Sequence, residues 1–222
     1  MDHASQIEPL YVFAVFMLGS REAAFVAVAD VLGEHPGASG AWLPALVARL
    51  VNGEKAARVN RFSELTDILR TNSTIPVGLS HPLVQGDVRR LSTLLWELQR
   101  TCLITTLRGI TAERRAVFTL LHVLGMSIEH TAAACSTTPS AVRVTDIRGR
   151  KDLANYLGPR CEHMDENNPC HCVDRLGNAL EGGLVHWPNH HDHDGTPFSP
   201  QVHHDVGNLY ASLPRVRLPI VM

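Results

Sequence analysis

The chain has 222 residues, of which 45% are hydrophobic, 19% charged and only 5% aromatic, and its formal net charge is −2. Few aromatic residues and many Ala, Val and Leu favour aliphatic helix packing over an aromatic-rich β-sandwich. The sequence shows no apolar run of about 18 residues and no basic, apolar leader, so we expect neither a membrane span nor a secretory signal. An odd number of cysteines, five, favours a reducing, cytoplasmic location.

The N-terminal part of the chain is apolar and predicts helices. Residues 10–32 are rich in Ala, Val, Phe and Leu, and the break at Gly19–Ser20 divides them into two predicted helices. A third helix is predicted over 42–50, where Pro44 is compatible with a position in the first turn. We assign residues 1–70 to a first helical domain.

The middle of the chain predicts a linker and one long helix. Residues 71–86 contain two prolines and two glycines and show no periodicity, which predicts a linker. Residues 87–107 predict an amphipathic helix, whose apolar stripe consists of Leu91, Leu94, Leu95, Leu98 and Cys102. Since Cys102 is the only thiol on this stripe, we interpret it as a core residue.

Residues 110–157 predict a helix-turn-helix. Thr111 is the expected N-cap of a helix that ends at Gly125. Ser127 is expected to cap a short second helix, and Thr138–Pro139 to begin a longer, basic third helix. This succession is typical of a DNA-binding helix-turn-helix, although any three-helix bundle would share the pattern.

The third of these helices carries the candidate DNA-binding residues. Its N-terminal turns would enter the major groove, and the side chains placed there by spacing are Ser140, Arg143, Val144 and Ile147. The cations further along the helix, expected to contact phosphates, are Arg148, Arg150 and Lys151. The alternative interpretation of these cations is a merely solvated basic face.

The segment ITAERRAVFTLLHVLGMSIEHTAAACSTTPSAVRVTDIRGRKDL resembles the fourth conserved region of bacterial extracytoplasmic-function (ECF) sigma factors. The residues in register with that region are Glu113, Arg114, Val117, Leu120, Gly125, Ser127, Ala132, Val142, Arg148, Arg150 and Leu153. Upstream, MLGSREAAFVAVADVL and WLPALVARL are similar to parts of the family's second region. The resemblance implies an all-α, two-lobed protein without catalytic activity, with lobes over 1–70 and 87–157. It also implies that core RNA polymerase, promoter DNA and an anti-sigma factor are the partners.

The segment that resembles the second region departs from the family's pattern. Ala23, Phe25 and Val26 stand where acidic residues that help to dock the polymerase are common, and the segment after Trp42 lacks the usual run of basic and aromatic residues. An alternative therefore stays open: a polymerase-independent helix-turn-helix regulator, or a degenerate sigma paralogue that acts as an interaction module.

Residues 158–222 form a Cys- and His-rich extension, in which GPRCEHMDENNPCHCVDRLGNALEGGLV resembles a C-terminal extension of some ECF sigma factors. Thiolate and imidazole suit Zn²⁺, so zinc is the expected cofactor, and the candidate ligands are Cys161, His163, Cys170 and Cys172. His186 is the alternative to His163. A redox-active thiol pair and a set of idle thiols are the other interpretations that the sequence leaves open.

A second His-rich stretch, HWPNHHDHD, follows at residues 186–194. Its side chains could hold a divalent metal ion, and they are His186, His190, His191, Asp192, His193 and Asp194. We prefer the interpretation that these are solvated histidines in an acidic tail.

Overall fold

The structure, a computed structural model, describes residues 3–53, 74–75, 77–187 and 196–218. The helices in this part of the chain are α1 (His3–Leu18), α2 (Arg21–Glu34), α3 (Ser39–Asn52), α4 (Val88–Leu107), α5 (Ala112–Phe118), α6 (Ile128–Ala134), α7 (Pro139–Leu157), α8 (Cys172–Glu181) and α9 (Val206–Ala211). A π-helical turn, Thr119–Val123, follows α5. The predicted all-α fold is confirmed, and none of the helices in the described ranges is long and apolar enough to cross a membrane.

The predicted break between the first two helices is confirmed. Gly19 has a φ of 70°, and the hydroxyl of Ser20 accepts a hydrogen bond of 3.1 Å from the backbone N–H of Ala23, which caps α2. The third helix begins at Ser39, before the predicted start, so Pro44 lies in its interior and the expected first-turn position was wrong.

The chain forms two compact units, each discontinuous in sequence. Unit 1 comprises residues 1–60, 107–153 and 217–222, and unit 2 comprises residues 61–106 and 154–216. The predicted segments are instead continuous, at 1–70, 71–86, 87–157 and 158–222. The grouping differs because tertiary packing pairs most of α4 with the C-terminal extension and the helix-turn-helix with the N-terminal helices. Residues 71–73 and 76 of the predicted linker lie outside the described residues.

In unit 1, the buried half of α1 forms the centre of the core. Residues 10–11 and 13–18 of α1 are at most 6% exposed, which is the burial expected of a helix that is apolar on nearly every side. Helices α2, α3 and α5 pack against α1. The helix-turn-helix adds a smaller apolar cluster of Val117, Ala132 and Val142.

In unit 2, the predicted apolar stripe of α4 packs against α8. The buried members of this core are Val84, Leu94, Leu95, Leu98, Cys172, Leu176, Ala179 and Val185. Val84 belongs to the predicted linker, so part of that segment is core. Gly177 of α8 also contacts this segment closely, since a Cβ atom at this position would lie 2.2 Å from the carbonyl oxygen of Ile75.

Candidate functional site

The helix-turn-helix forms as its capping signals predict. Ser127 precedes α6, and its hydroxyl accepts a hydrogen bond of 3.1 Å from the backbone N–H of His130. Ser136 lies in the turn after α6 with a φ of 51°. Thr138 precedes α7, and its hydroxyl accepts a hydrogen bond of 3.2 Å from the N–H of Ala141. These local bonds define where the two helices begin.

The helix that precedes α6 differs from the prediction. Thr111 is the N-cap residue of α5, but its side chain makes no capping hydrogen bond. The α-helix stops at Phe118 and continues as the π-helical turn, so the predicted single α-helix up to Gly125 was wrong. The helix ends at Leu124, directly after this turn, so too few helical residues follow for the changed register to be visible in the sequence periodicity.

A charged cluster joins this π-helical turn to α7. The Nε2 atom of His122 lies 2.7 Å from Oδ1 of Asp146, and Nε of Arg150 donates a 3.0 Å hydrogen bond to Oδ2 of the same carboxylate. Burial alone would raise the pKa of Asp146, but the hydrogen bond and charge of His122, together with Arg150, hold the pKa below its usual value. Asp146 is therefore an anion that holds α7 in place.

The outer face of α7 presents nearly all the predicted DNA-binding residues to solvent. The exposed positions are Ser140, Arg143, Val144, Ile147, Arg148 and Lys151. They recur every three or four residues and so form one stripe along the helix, which we call the α7 stripe. Val144 and Ile147 are 45% and 57% exposed, whereas Val142 on the inner face is 0% exposed.

Arg150 lies apart from the α7 stripe. Its side chain is 38% exposed and its guanidinium is bound by Asp146 one turn earlier. If Arg150 contacts a phosphate, as predicted, its guanidinium would have to bind the phosphate and the carboxylate of Asp146 at the same time.

In the C-terminal extension, Cys161 and Cys170 lie at the two ends of one turn. Cys161 and Cys170 form a parallel β-bridge, in which Cys170 N–H donates to the carbonyl of Arg160 at 3.0 Å. The side-chain amide of Asn168 donates to the carbonyls of Gly158 and Cys161, at 2.6 and 2.9 Å. The stretch MDENNP thus folds the chain back and brings Cys161 and Cys170 together.

His163 lies against Cys172 in this turn. The Nε2 atom of His163 is 3.5 Å from the Sγ atom of Cys172, and Nδ1 of His163 lies 3.3 Å from the carbonyl oxygen of Gln201. A carbonyl only accepts, so Nδ1 carries the proton and the lone pair of Nε2 faces the thiol. His163 is 2% exposed, and burial lowers its pKa, which keeps the ring neutral.

The candidate ligands line one cavity of about 20 Å³, which is room for a water molecule or a metal ion. Its lining residues are Leu98, Gln99, Cys102, Leu103, Cys161, His163, Cys170, Cys172 and Arg175. Cys102 was interpreted as a core residue, but it contributes a fourth thiol to this wall. No local signal distinguished Cys102 from its apolar neighbours on α4, because only the packing of the extension places it here.

Burial favours the neutral form of the thiols in this cavity wall. Burial raises the pKa of Cys161 to about 12, although the backbone N–H of His163 donates to its sulfur and opposes that shift. Burial also raises the pKa of Cys170, which the positive charge of Arg175 opposes. A cation bound between these sulfurs would displace their protons.

The carboxylate of Glu162 lies near His163 and Cys172, but its oxygens form hydrogen bonds elsewhere in the turn. Ligand atoms of Glu162, His163 and Cys172 lie within 4.8 Å of one another. One carboxylate oxygen of Glu162 accepts a 2.5 Å hydrogen bond from the N–H of Cys172, at the start of α8, and the other lies 3.1 Å from Nδ1 of His171. Glu162 therefore holds the two ends of the turn together.

The second predicted metal cluster falls largely outside the described residues, since residues 188–195 are not among them. His186, the alternative ligand, is exposed and is not part of the cavity wall.

No family model, no curated protein sequence and no solved structure matches this chain. Its function is therefore inferred from its residues and from the geometry of these two sites.

Proposed function

We propose that this chain is an ECF-type sigma factor, which binds core RNA polymerase and recognises promoter DNA through α7 to start transcription. The observation that carries this proposal is the α7 stripe, an exposed row of cationic, hydroxyl and apolar side chains on the second helix of a helix-turn-helix. In that motif the second helix lies in the major groove and its N-terminal residues contact the bases.

The composition of the α7 stripe suits a DNA major groove better than it suits water. Val144 and Ile147 expose about half of their surface, and thymine methyl groups in the groove are suitable apolar partners for them. Arg143 lies one helical turn before Ile147 and can donate two hydrogen bonds to a guanine. Arg148 and Lys151 follow, where the helix leaves the groove, and can contact phosphates.

The low positive charge of the helix-turn-helix segment supports the proposal that this chain needs core polymerase to bind DNA tightly. Residues 110–160 carry seven basic and four acidic side chains, and the whole chain has a net charge of −2. Non-specific DNA affinity comes mainly from neutralised phosphates, so such a segment binds DNA weakly by itself. Core polymerase would supply the remaining affinity for DNA. An anti-sigma factor would compete with core polymerase for binding to this chain. These partners place the protein in the cytoplasm.

One observation favours the alternative, a helix-turn-helix regulator that works without polymerase. The acidic side chains of α2 are engaged within the protein, since Arg49 of α3 lies 3.3 Å from Asp30 and 2.5 Å from Glu34. The neighbouring Phe25 and Val26 are 44% and 54% exposed. This surface offers few free carboxylates to a polymerase.

Transcription with purified components distinguishes the two functions. Core polymerase and the purified chain are incubated with a library of randomised promoter fragments, and the bound fragments are selected, sequenced and tested in run-off transcription. We expect specific transcripts that depend on the chain and are reduced by Arg143→Ala. The matched control is Arg89→Ala, which removes an arginine that is 82% exposed on α4, outside the stripe.

Two results would contradict the sigma-factor proposal. One is tight, sequence-specific binding by the free chain in a gel shift with no transcript in the polymerase assay, which would establish the regulator instead. The other is equal transcription by the wild type and Arg143→Ala, which would show that the α7 stripe does not recognise the promoter.

A further inference from the structure

We propose that the cavity in unit 2 binds one Zn²⁺ ion through Cys161, His163, Cys170 and Cys172, with Cys102 beside the site but outside the set of ligands. The proposal is independent of DNA binding, since these residues all belong to unit 2 and the α7 stripe belongs mainly to unit 1.

The separation of His163 and Cys172 fits two ligands of one tetrahedral zinc ion. Bond lengths of about 2.3 Å to sulfur and 2.0–2.1 Å to nitrogen, at a tetrahedral angle, place the two donor atoms about 3.6 Å apart. The observed distance between Nε2 of His163 and Sγ of Cys172 is 3.5 Å. The two donor atoms therefore need little movement to share an ion.

The surroundings of His163 also fit a metal ligand. The contact between Nδ1 of His163 and the carbonyl of Gln201 fixes the tautomer that leaves Nε2 free to bind. Histidines that bind metal ions usually donate their other ring N–H to a carbonyl or carboxylate in this way. The edge of Phe198, with its centroid 6.2 Å from that of the imidazole, packs against the same ring.

Cys161 and Cys170 supply the other two donors. Their β-bridge places them side by side at the cavity wall, and the N–H of His163 donates to the sulfur of Cys161. A backbone N–H directed at sulfur stabilises the thiolate form, which is the form that binds zinc. Both side chains line the cavity, and their sulfurs would turn towards the ion on binding, because the ligand atoms that already lie within 4.8 Å of one another are those of Glu162, His163 and Cys172.

Charge favours three thiolates over four. Three thiolates and Zn²⁺ have a net charge of −1, and the guanidinium of Arg175 at the cavity wall and the buried carboxylate of Glu162 already lie beside it. A fourth thiolate from Cys102 would leave a further buried negative charge without a cation.

A buried polar atom in the same wall indicates an occupant. The side chain of Gln99 is 3% exposed, lines the cavity, and its Oε1 atom has no hydrogen-bond partner among the described residues. Buried polar atoms are nearly always paired with protein or ordered water. An ion or a water molecule in the cavity would give this oxygen a partner.

Metal content of the full chain, purified under reducing conditions, tests the proposal. We expect about one zinc ion per chain by elemental analysis and native mass spectrometry. Cys170→Ser and His163→Gln should lose most of that zinc, whereas Cys102→Ser and Cys135→Ser should keep it. Cys135 is the matched thiol control, because it lies in the helix-turn-helix of unit 1.

Cobalt titration of the wild-type apoprotein gives a reading that does not depend on any variant. Co²⁺ bound by three thiolates should produce intense thiolate-to-metal absorption, and Zn²⁺ should displace it, in keeping with its higher affinity for such sites. Circular dichroism of each variant shows whether it is folded.

Three outcomes would overturn the proposal. The first is a wild-type chain that binds neither metal while all five thiols react with an alkylating agent. The second is a mass lower by two protons, which indicates a disulfide in place of a metal site. The third is zinc that is lost in Cys102→Ser and retained in Cys161→Ser, which would assign a different set of ligands.

Discussion

The guanidinium of Arg115, on α5, donates a 2.6 Å hydrogen bond from Nη1 to the carbonyl oxygen of Met17 in the last turn of α1. Its Nη2 atom lies 3.4 Å from the carbonyl of Arg108 and 3.3 Å from that of Ile110. The side chain is 0% exposed, and burial lowers its pKa to about 10, so it stays charged at neutral pH. A cation at the C-terminal end of α1 complements that helix's dipole.

Replacing Arg115 should therefore destabilise unit 1 strongly. Arg115→Met leaves the carbonyls of Met17, Arg108 and Ile110 without their charged donor, and we expect a loss of about 3 kcal/mol or more in the free energy of unfolding. The measurement is urea denaturation followed by circular dichroism. Arg114→Met is the matched control, because Arg114 is 31% exposed and forms a partly exposed ion pair with Asp152. The control should lose no more than about 1 kcal/mol, and equal losses would contradict the role of Arg115.

Enlarging Ala132 should overpack the helix-turn-helix. Ala132 is 3% exposed and packs against Val117 and Val142, so Ala132→Leu should reduce the free energy of unfolding by about 1–3 kcal/mol. The neighbouring Ala133 is exposed, and Ala133→Leu should change stability by less than about 0.5 kcal/mol. Thermal melting of both full-length variants compares the two, and a reversed order would mean that α6 presents its other face to α7.

Replacing Asp146 should change how stability depends on pH. A carboxylate with a lowered pKa stabilises the folded state above its usual pKa of 3.8, and this stabilisation is lost as pH falls through the lower, folded value. Asp146→Asn should lose about 1–2 kcal/mol at neutral pH, because it removes the charge from the bonds to His122 and Arg150. The difference between wild type and variant should shrink below about pH 4. A difference that stays constant from pH 7 to pH 2, measured by urea denaturation, would exclude this ionic role.

Adding a methyl group at Gly177 should disrupt unit 2. A Cβ atom there would lie 2.2 Å from the carbonyl oxygen of Ile75, so Gly177→Ala should lose about 1–3 kcal/mol despite the better helix propensity of alanine. Gly33, inside α2, has no atom within 4 Å of such a Cβ. Gly33→Ala should therefore gain about 0.5–1 kcal/mol. Melting temperatures of the two variants should move in opposite directions, and a stabilised Gly177→Ala would show that the Ile75 segment moves aside.

Arg143 and Arg150 of α7 should affect promoter recognition differently. Arg143→Ala should weaken binding of the polymerase complex by about 1–3 kcal/mol and relax the preference at one promoter position. Arg150→Ala should weaken all promoters alike, and it should also lower stability, because Arg150 binds Asp146. Selection and sequencing of bound promoter fragments measures the preference. If both variants lost the same affinity at every promoter, Arg143 would not be a residue that contacts bases.

The sequence by itself determined the all-α class and the starts of α6 and α7, whereas it placed the start of α3 too late and the capping bond at Thr111 does not form. Ser127 and Thr138 were recognised as caps because a cap bonds to a backbone N–H only a few residues away. The apolar stripe of α4 was recognised because a helix repeats every 3.6 residues. The turn that brings Cys161 to Cys170 follows from Asn, Asp and Pro in between, which is also local chemistry.

Only the tertiary structure decided which of these elements pack together. Arg115 reads in the sequence as one more basic residue of a helix, and it became buried because α1 ends beside it. Cys102 reads as one more apolar residue of α4, and it joined the cavity because the extension folds over that helix. These contacts join residues that are far apart in the chain, and they depend on the sum of many packing interactions. A periodic pattern shows that a face is buried, but it carries no information about which distant segment covers that face.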